Sequence, residues 1–161
     1  MKDDSHTTIL PYQPSWKDKY EMEKANLLKI FGDKLIDIQH IGSTSVEGLK
    51  SKPIIDIGVM IKNRTDVDYF LEALNKIGYN FQAQYQSSTA ERHFSIKGDP
   101  IEYHLSIAYT DQGGFWGRQI LFRDYLRSHP DLRGEYSKLK EDLLKADPTG
   151  KGSYISGKTV Y

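Results

Sequence analysis

The sequence predicts an α+β single domain, a mixed β-sheet flanked by helices. Three observations carry that expectation. Residues 54–61 form an apolar, β-branched run of the kind shown by a central strand covered on both faces. Three further strand-like runs are joined by short polar turns, and helical apolar stripes stand before, between and after the strands. A length of 161 residues suits one compact core.

The elements follow in order. Residues 1–15, with Pro11 and Pro14, read as an irregular arm, and 16–161 as the domain. Trp16, Tyr20, Leu27 and Phe31 recur at helical spacing, with Lys24 interrupting the row and Gly32 placed to end it. Residues 35–41 alternate as a short strand and run into Gly42-Ser43-Thr44-Ser45. After the central strand, Thr65 with Asp68 reads as a capping box opening a helix whose stripe is Val67, Phe70, Leu71, Leu74 and Ile77, ended by Gly78. Residues 79–85, 91–97 and 101–109 suit an antiparallel meander, the last two runs separated by a Gly-Asp-Pro turn. Residues 115–128 and 132–146 are helical in pattern, with Pro130 between them and Leu132, Tyr136, Leu139 and Leu143 as the stripe of the second. Tyr154 and Lys158, four apart, suit one more turn in the tail.

Composition narrows the function. The 22 basic and 22 acidic residues cancel, which disfavours sequence-independent nucleic-acid binding while allowing a local basic pocket. The absence of cysteine excludes disulfides, thiolate catalysis and Cys-based zinc sites. The N-terminal residues lack the apolar run of a signal peptide, and no stretch reads as a membrane span, so the chain reads as cytoplasmic.

The chemistry concentrates on Asp56. Strand alternation puts Ile54, Asp56, Gly58 and Met60 on one face and Ile55, Ile57, Val59 and Ile61 on the other, so Asp56 is the only charge in this run. A carboxylate there either bonds a neighbouring loop or ligates a cation such as Mg²⁺, which asks for one or two carboxylates plus phosphate oxygens. Gly42, Ser43 and Thr44 lie upstream, Ser43 being 13 residues before Asp56. The glycine allows close backbone approach and the residues after it offer N–H groups to a phosphate; the alternative is an ordinary helix cap. Lys52, held by Pro53 between turn and acid, is the leading cationic phosphate ligand.

Farther on, Glu102, His104 and Ser106 alternate onto one face, which faces either Asp56 or solvent. With Asp56, the pair Glu102 and His104 would complete a catalytic and metal-binding set, imidazole favouring Mn²⁺ or Zn²⁺ over Mg²⁺ or serving as general base. Arg92 and His93 point to opposite faces, so only one of them can reach such a site. Arg123 and Arg127 share a helix face and suit either phosphate recognition or surface pairing with Asp124 or Asp131. His40 precedes the turn as a ligand or as a hydrogen-bonded structural residue.

His40-Ile-Gly-Ser-Thr-Ser-Val46, Gly48-Leu49, Lys52-Pro-Ile-Ile-Asp56, Phe122-Arg-Asp-Tyr-Leu-Arg127 with His129-Pro130, Tyr136, Leu139-Lys140, Tyr154 and Lys158 resemble the GrpB family. The resemblance runs from about Pro11 to the C-terminus. It implies the nucleotidyltransferase-like fold, in which a Gly-Ser turn precedes a strand of catalytic acids, and some relatives are fused to dephospho-coenzyme A kinase. Active nucleotidyltransferases carry Asp-x-Asp or Asp-x-Glu on that strand and a third acid later, to hold two metals. Here Gly58 stands at the second acid, and Ser106 stands where the family usually has a second histidine.

Two functions from different classes follow. One is metal-dependent nucleotidyl or phosphoryl transfer, with Mg²⁺ or Mn²⁺, a nucleoside triphosphate and a small-molecule acceptor: Gly42, Ser43, Thr44, Lys52, Arg92 and Arg123 hold phosphate, and Asp56, Glu102 and His104 hold metal and do the chemistry. The other is a module that binds a nucleotide or phosphometabolite without transfer, which Gly58 favours. Hydrolytic metal chemistry at Asp56, His104 and His40 is a third.

Overall fold

A computed structural model describes residues 8–83, 91–110 and 114–146. Helix α1 (Pro14–Phe31) opens on Pro14, which lacks the N–H that a first helical residue leaves unbonded anyway. It ends at Gly32, whose φ of 54° few other residues adopt and whose N–H returns to the Leu28 carbonyl. The helix therefore takes in Pro14 and Ser15 from the predicted arm, and Leu10 pairs with Ser51 through an isolated bridge. Trp16, Tyr20, Leu27 and Phe31 are buried as their spacing predicts.

The row is completed by Glu23 rather than broken at Lys24. Glu23 is 3% exposed, and its carboxylate accepts hydrogen bonds from Tyr79 Oη (2.7 Å), Lys97 Nζ (2.8 Å) and Asn26 Nδ2 (3.1 Å). Burial pushes its pKa up, but these donors outweigh burial and hold it below the ordinary value.

Among the described residues the sheet has five strands: β1 (Asp37–Ile41), β2 (Ile55–Ile61), β3 (Tyr79–Phe81), β4 (Arg92–Lys97) and β5 (Tyr103–Tyr109), in the order β1-β2-β5-β4-β3. Only β2 and β5 run parallel; the other neighbours are antiparallel, and β3-β4-β5 is the predicted meander. The central run is a central strand, with Ile55, Ile57, Val59 and Ile61 fully buried against α1 and the segment after β2. Strand β5 starts two residues later than predicted, and residues 84–90, which include the end of the first meander strand as read from sequence, lie outside the described ones.

The predicted helix after β2 is different in kind. Arg64–Tyr69 is a 3₁₀ turn with no side-chain cap at Asn63, and only Leu71–Lys76 is α-helical (α2), so the Thr65–Asp68 capping box does not form. Thr, Asp and Val in the opening turn lose rotamer freedom or compete for backbone bonds in an α-helix, which favours the tighter turn. Val67, Phe70 and Leu74 still reach the core.

Helices α3 (Phe115–Ser128) and α4 (Pro130–Ala146) pack together, and Leu126 and Tyr136 enclose Val46 and Leu49 of the loop after β1 in a second apolar cluster. The buried face of α4 is more polar than its leucines suggest. Lys140 is 1% exposed with Nζ on the Lys50 carbonyl, and Ser137 Oγ accepts the Lys50 N–H at 3.1 Å. Tyr154 and Lys158 lie outside the described residues, among which no helix is long and apolar enough to cross a membrane.

Removing a buried carboxylate while leaving its partners in place typically costs about 3 kcal/mol. Urea unfolding of Glu23→Ala should show a loss of that order. Glu23→Gln should lose less, because an amide oxygen can still accept from Tyr79 and Lys97.

Candidate functional site

Strand register assembles the site. Ile41, the last residue of β1, lies opposite Asp56, so the turn that follows must pass over the acid, and on the other side of β2 Asp56 lies beside His104 of β5. Gly42 adopts φ 73°, and a Cβ there would overlap Asp56 Oδ2 and come within 2.9 Å of Asp56 Cγ. Backbone and carboxylate are thus in closest contact where only glycine fits.

The other carboxylate oxygen meets an imidazole: His104 Nδ1 lies 3.0 Å from Asp56 Oδ1. Both side chains are about one-third exposed, so the pair is open to a ligand. An ionised carboxylate only accepts, which assigns the proton of this bond to Nδ1 and leaves Nε2 of the neutral ring as a proton acceptor. The Phe94 ring stands edge-on to His104 with centroids 5.1 Å apart.

Ser43–Ser45 form a 3₁₀ turn whose three residues are buried, Thr44 at 1% exposure. Ser43 shares a hydrogen bond with Tyr136, Thr44 Oγ1 lies 2.9 Å from His40 Nε2, and Ser45 Oγ donates to the Gly42 carbonyl. The hydroxyls thus brace the turn from inside. Tyr136 is pushed up to about 12 by burial and, secondarily, by the nearby Asp56 charge. His40 projects from the opposite sheet face to Asp56, stacked on Tyr20 at 4.8 Å, and burial pushes its imidazole down to about 4. It is a brace for the turn, as its structural reading expects.

The remaining predicted residues separate. Arg92 lies on the Asp56 face, with Nη1 on Ser106 Oγ at 2.7 Å and its guanidinium over the Phe94 and Phe115 rings. Its neighbour His93 points into the core. Lys52 is half-buried in the loop before β2. Arg123 is buried, with Nη1 on Gln39 Oε1 and the His40 carbonyl and Nε on Asp124, which makes it an anchor for β1. Glu102 precedes β5 in an exposed turn, its N–H bonded to Lys97 O. Asp56 and His104 therefore meet without it, and among the described residues no group of three His, Asp or Glu side chains converges as a metal site.

The position of the second acid is closed by a residue that the sequence reading passed over. A Cβ at Gly58 would stand 3.0 Å from Trp116 Cζ3 and 3.3 Å from Ile41 Cδ1, so a carboxylate beyond it would displace the indole. A glycine inside a β-branched strand is itself the available signal, since it marks close approach by a neighbour.

The model of the family described as GrpB protein matches residues 6–161. The chain belongs to the GrpB family. It is similar to the UPF0157 protein YqkA of Bacillus subtilis, 34% identical over 93% of this chain and 43% of that protein, so the chain spans less than half the length of that relative. Similarity to the glutamate-rich protein GrpB of Alkalihalophilus pseudofirmus is 33% identity over 95% and 90% of the two chains. A dephospho-CoA kinase of Mycolicibacterium paratuberculosis is 28% identical over 93% of this chain and 42% of its own. Among solved structures, GrpB from Enterococcus faecalis superposes with a TM-score of 0.86 at 31% identity, covering 95% of this chain and 92% of that one. The Cid1 poly(U) polymerase superposes at 0.62 with 14% identity over 92% of this chain and 49% of its own, which identifies the GrpB fold as nucleotidyltransferase-like.

Gly42→Ala should prevent stable folding or cost several kcal/mol in urea unfolding, because the positive φ and the Asp56 contact oppose it together. A second expectation concerns pH. His40 and His93 both fall from the ordinary 6.5 to about 4, burial being the first cause for each, so between those values the unfolded chain binds protons that the folded one refuses. Stability should be full above pH 6.5 and decline as pH falls from 6.5 towards about 4, with a shallower decline in His93→Gln.

Proposed function

We propose that this GrpB-family chain handles a nucleotide or related phosphorylated small molecule at the Asp56–His104 pair and transfers a phosphoryl or nucleotidyl group from it. The observation that carries this reading is the 3.0 Å Asp56–His104 contact on an accessible sheet face, directly beneath a glycine turn. With Asp56 holding Nδ1–H, His104 Nε2 is placed to take a proton from an acceptor hydroxyl, so that the acceptor oxygen attacks phosphorus as it loses that proton and the P–O bond to the leaving group breaks, releasing nucleoside diphosphate in phosphoryl transfer or pyrophosphate in nucleotidyl transfer. Asp56 orients the ring and stabilises the imidazolium that results. Arg92, on the same sheet face, would supply positive charge for phosphate, and Lys52, in the loop before β2, is a second cation for that role.

A paired-metal centre does not fit these residues, because Trp116 fills the space beyond Gly58. A single hydrated Mg²⁺ or Mn²⁺ on Asp56 does fit, since Mg²⁺ needs only one or two carboxylates and takes further oxygens from phosphate and water. When bound, such an ion would neutralise phosphate charge. The fold shared with Cid1, whose solved structure is described as Mg 3′-dATP bound, and the sequence similarity to dephospho-CoA kinases support a nucleotide as ligand.

The same Trp116–Gly58 contact favours a second reading, a module that binds the phosphorylated ligand without transfer. Calorimetry with ATP, GTP, CTP and coenzyme A precursors, with and without Mg²⁺ or Mn²⁺, paired with assays of pyrophosphate and of nucleoside diphosphate release, separates the two. Transfer predicts release that falls at least a hundredfold in Asp56→Ala and is reduced in His104→Gln without comparable loss of affinity. Binding that Arg92→Ala weakens, without release, selects the module, and absence of binding by every probe overturns both.

A further inference from the structure

The edge of the sheet carries a second candidate binding surface. A groove of about 920 Å³ runs along β1 between α1 and the α3–α4 pair, and neither Asp56 nor His104 lines it. Its lining holds five cations, Lys17, Lys24, Arg123, Arg127 and Arg133, against two carboxylates, Glu21 and Glu47. The whole chain carries equal numbers of basic and acidic residues, so this concentration is local.

Most of that charge is not neutralised. Among the described residues Lys17, Lys24 and Arg133 form no ion pair, and Arg127 approaches Asp124 only at 3.9 Å. The arginines are held instead by uncharged carbonyls: Arg127 Nε and Nη2 donate to Ser45 O at 3.1 and 2.8 Å, and Arg133 Nη1 to the Leu126 and Arg127 carbonyls at 3.0 Å each. A guanidinium has five N–H donors, so each keeps donors beyond these bonds while its orientation is already fixed. Arg127 and Arg123 also repel each other: desolvation first, and then the Arg123 charge, pulls the Arg127 pKa down. An anion between them relieves that repulsion.

We infer that this groove binds a phosphorylated small molecule of nucleotide size, at a site separate from the Asp56–His104 pair. The volume lies within the range of small-molecule sites and far exceeds what one inorganic phosphate needs. Tyr12 and Tyr20 add aromatic surface, and Lys24 sits 6.0 Å from the Tyr20 ring centroid. The groove and the candidate catalytic pair are divided by the turn at 42–45, with Gly42 against Asp56 and Thr44 and Ser45 lining the groove.

The test uses the whole chain, low ionic strength and EDTA, with ATP, inorganic tripolyphosphate and inorganic phosphate as probes followed by calorimetry. ATP and tripolyphosphate are expected to bind without divalent cation, at least tenfold more weakly in Lys17→Glu/Lys24→Glu and in Arg133→Glu, and within twofold of wild type in Arg92→Ala, which removes a cation from the Asp56 face and none from the groove. Circular dichroism checks that each variant is folded. Tighter binding of ATP than of tripolyphosphate assigns a role to the aromatic wall; equal binding places recognition on the phosphates, and either supports the site. No binding of ATP or tripolyphosphate at millimolar concentration, affinity unchanged in both charge-reversal variants, or affinity lost in Arg92→Ala overturns the inference. Affinity lost in Arg92→Ala and unchanged in the charge-reversal variants overturns this inference alone, and transfer that survives Asp56→Ala overturns the catalytic proposal alone.

Discussion

The rest of the site depends on the contact between the Gly42 backbone and the Asp56 carboxylate. It fixes where the chain leaves β1, and with it the turn whose hydroxyls bond Tyr136, His40 and the Gly42 carbonyl. Asp56 has one carboxylate oxygen against that backbone and the other 3.0 Å from His104, so its orientation is set from both sides before any ligand arrives. Such preorganisation lets a short polar constellation act without a reorganisation cost.

Sheet pairing makes that contact possible. Because side chains alternate, a slip of one residue in β2 would carry Asp56 into the core and an isoleucine onto the open face, which the fully buried row Ile55, Ile57, Val59 and Ile61 forbids. The parallel β2–β5 pairing then places His104 beside Asp56 across 48 residues of sequence. The hydrophobic face thus dictates the register of the polar one. Where α1 packs on the sheet, the core admits the Glu23–Lys97 pair with Tyr79, which ties α1 to the meander.

Much of this order was legible in the sequence. The central strand, the meander, the first helix and the last two helices follow from periodicity, and the turn and Asp56 could be placed together from their spacing. The His104 contact needed a register that no local pattern encodes, and Glu102 shares its alternation yet falls outside the strand because β5 begins at Tyr103. The 3₁₀ turn at Arg64–Tyr69 escaped because its apolar spacing suits the core equally well in either helical form. Trp116 and Glu23 escaped for a related reason: each acts through a partner far away in sequence, Gly58 and Lys97, and type alone gives no distance.

Trp116 also changes what the fold can do. In a two-metal site the second carboxylate shares the load of neutralising attacking and leaving oxygens. Here an indole edge occupies its place, so in the proposed transfer the charge would be met by the protein's own cations or by one ion on Asp56. Gly58 and Asp56 share a face of β2, so the indole against Gly58 is an apolar neighbour two residues along the strand, and a less polar surrounding strengthens the electrostatic interactions that a phosphate at the proposed site would make. The loss of a ligand position and the gain of an apolar neighbour are one structural event, and under the proposed function they favour a carboxylate-oriented imidazole over a two-metal centre.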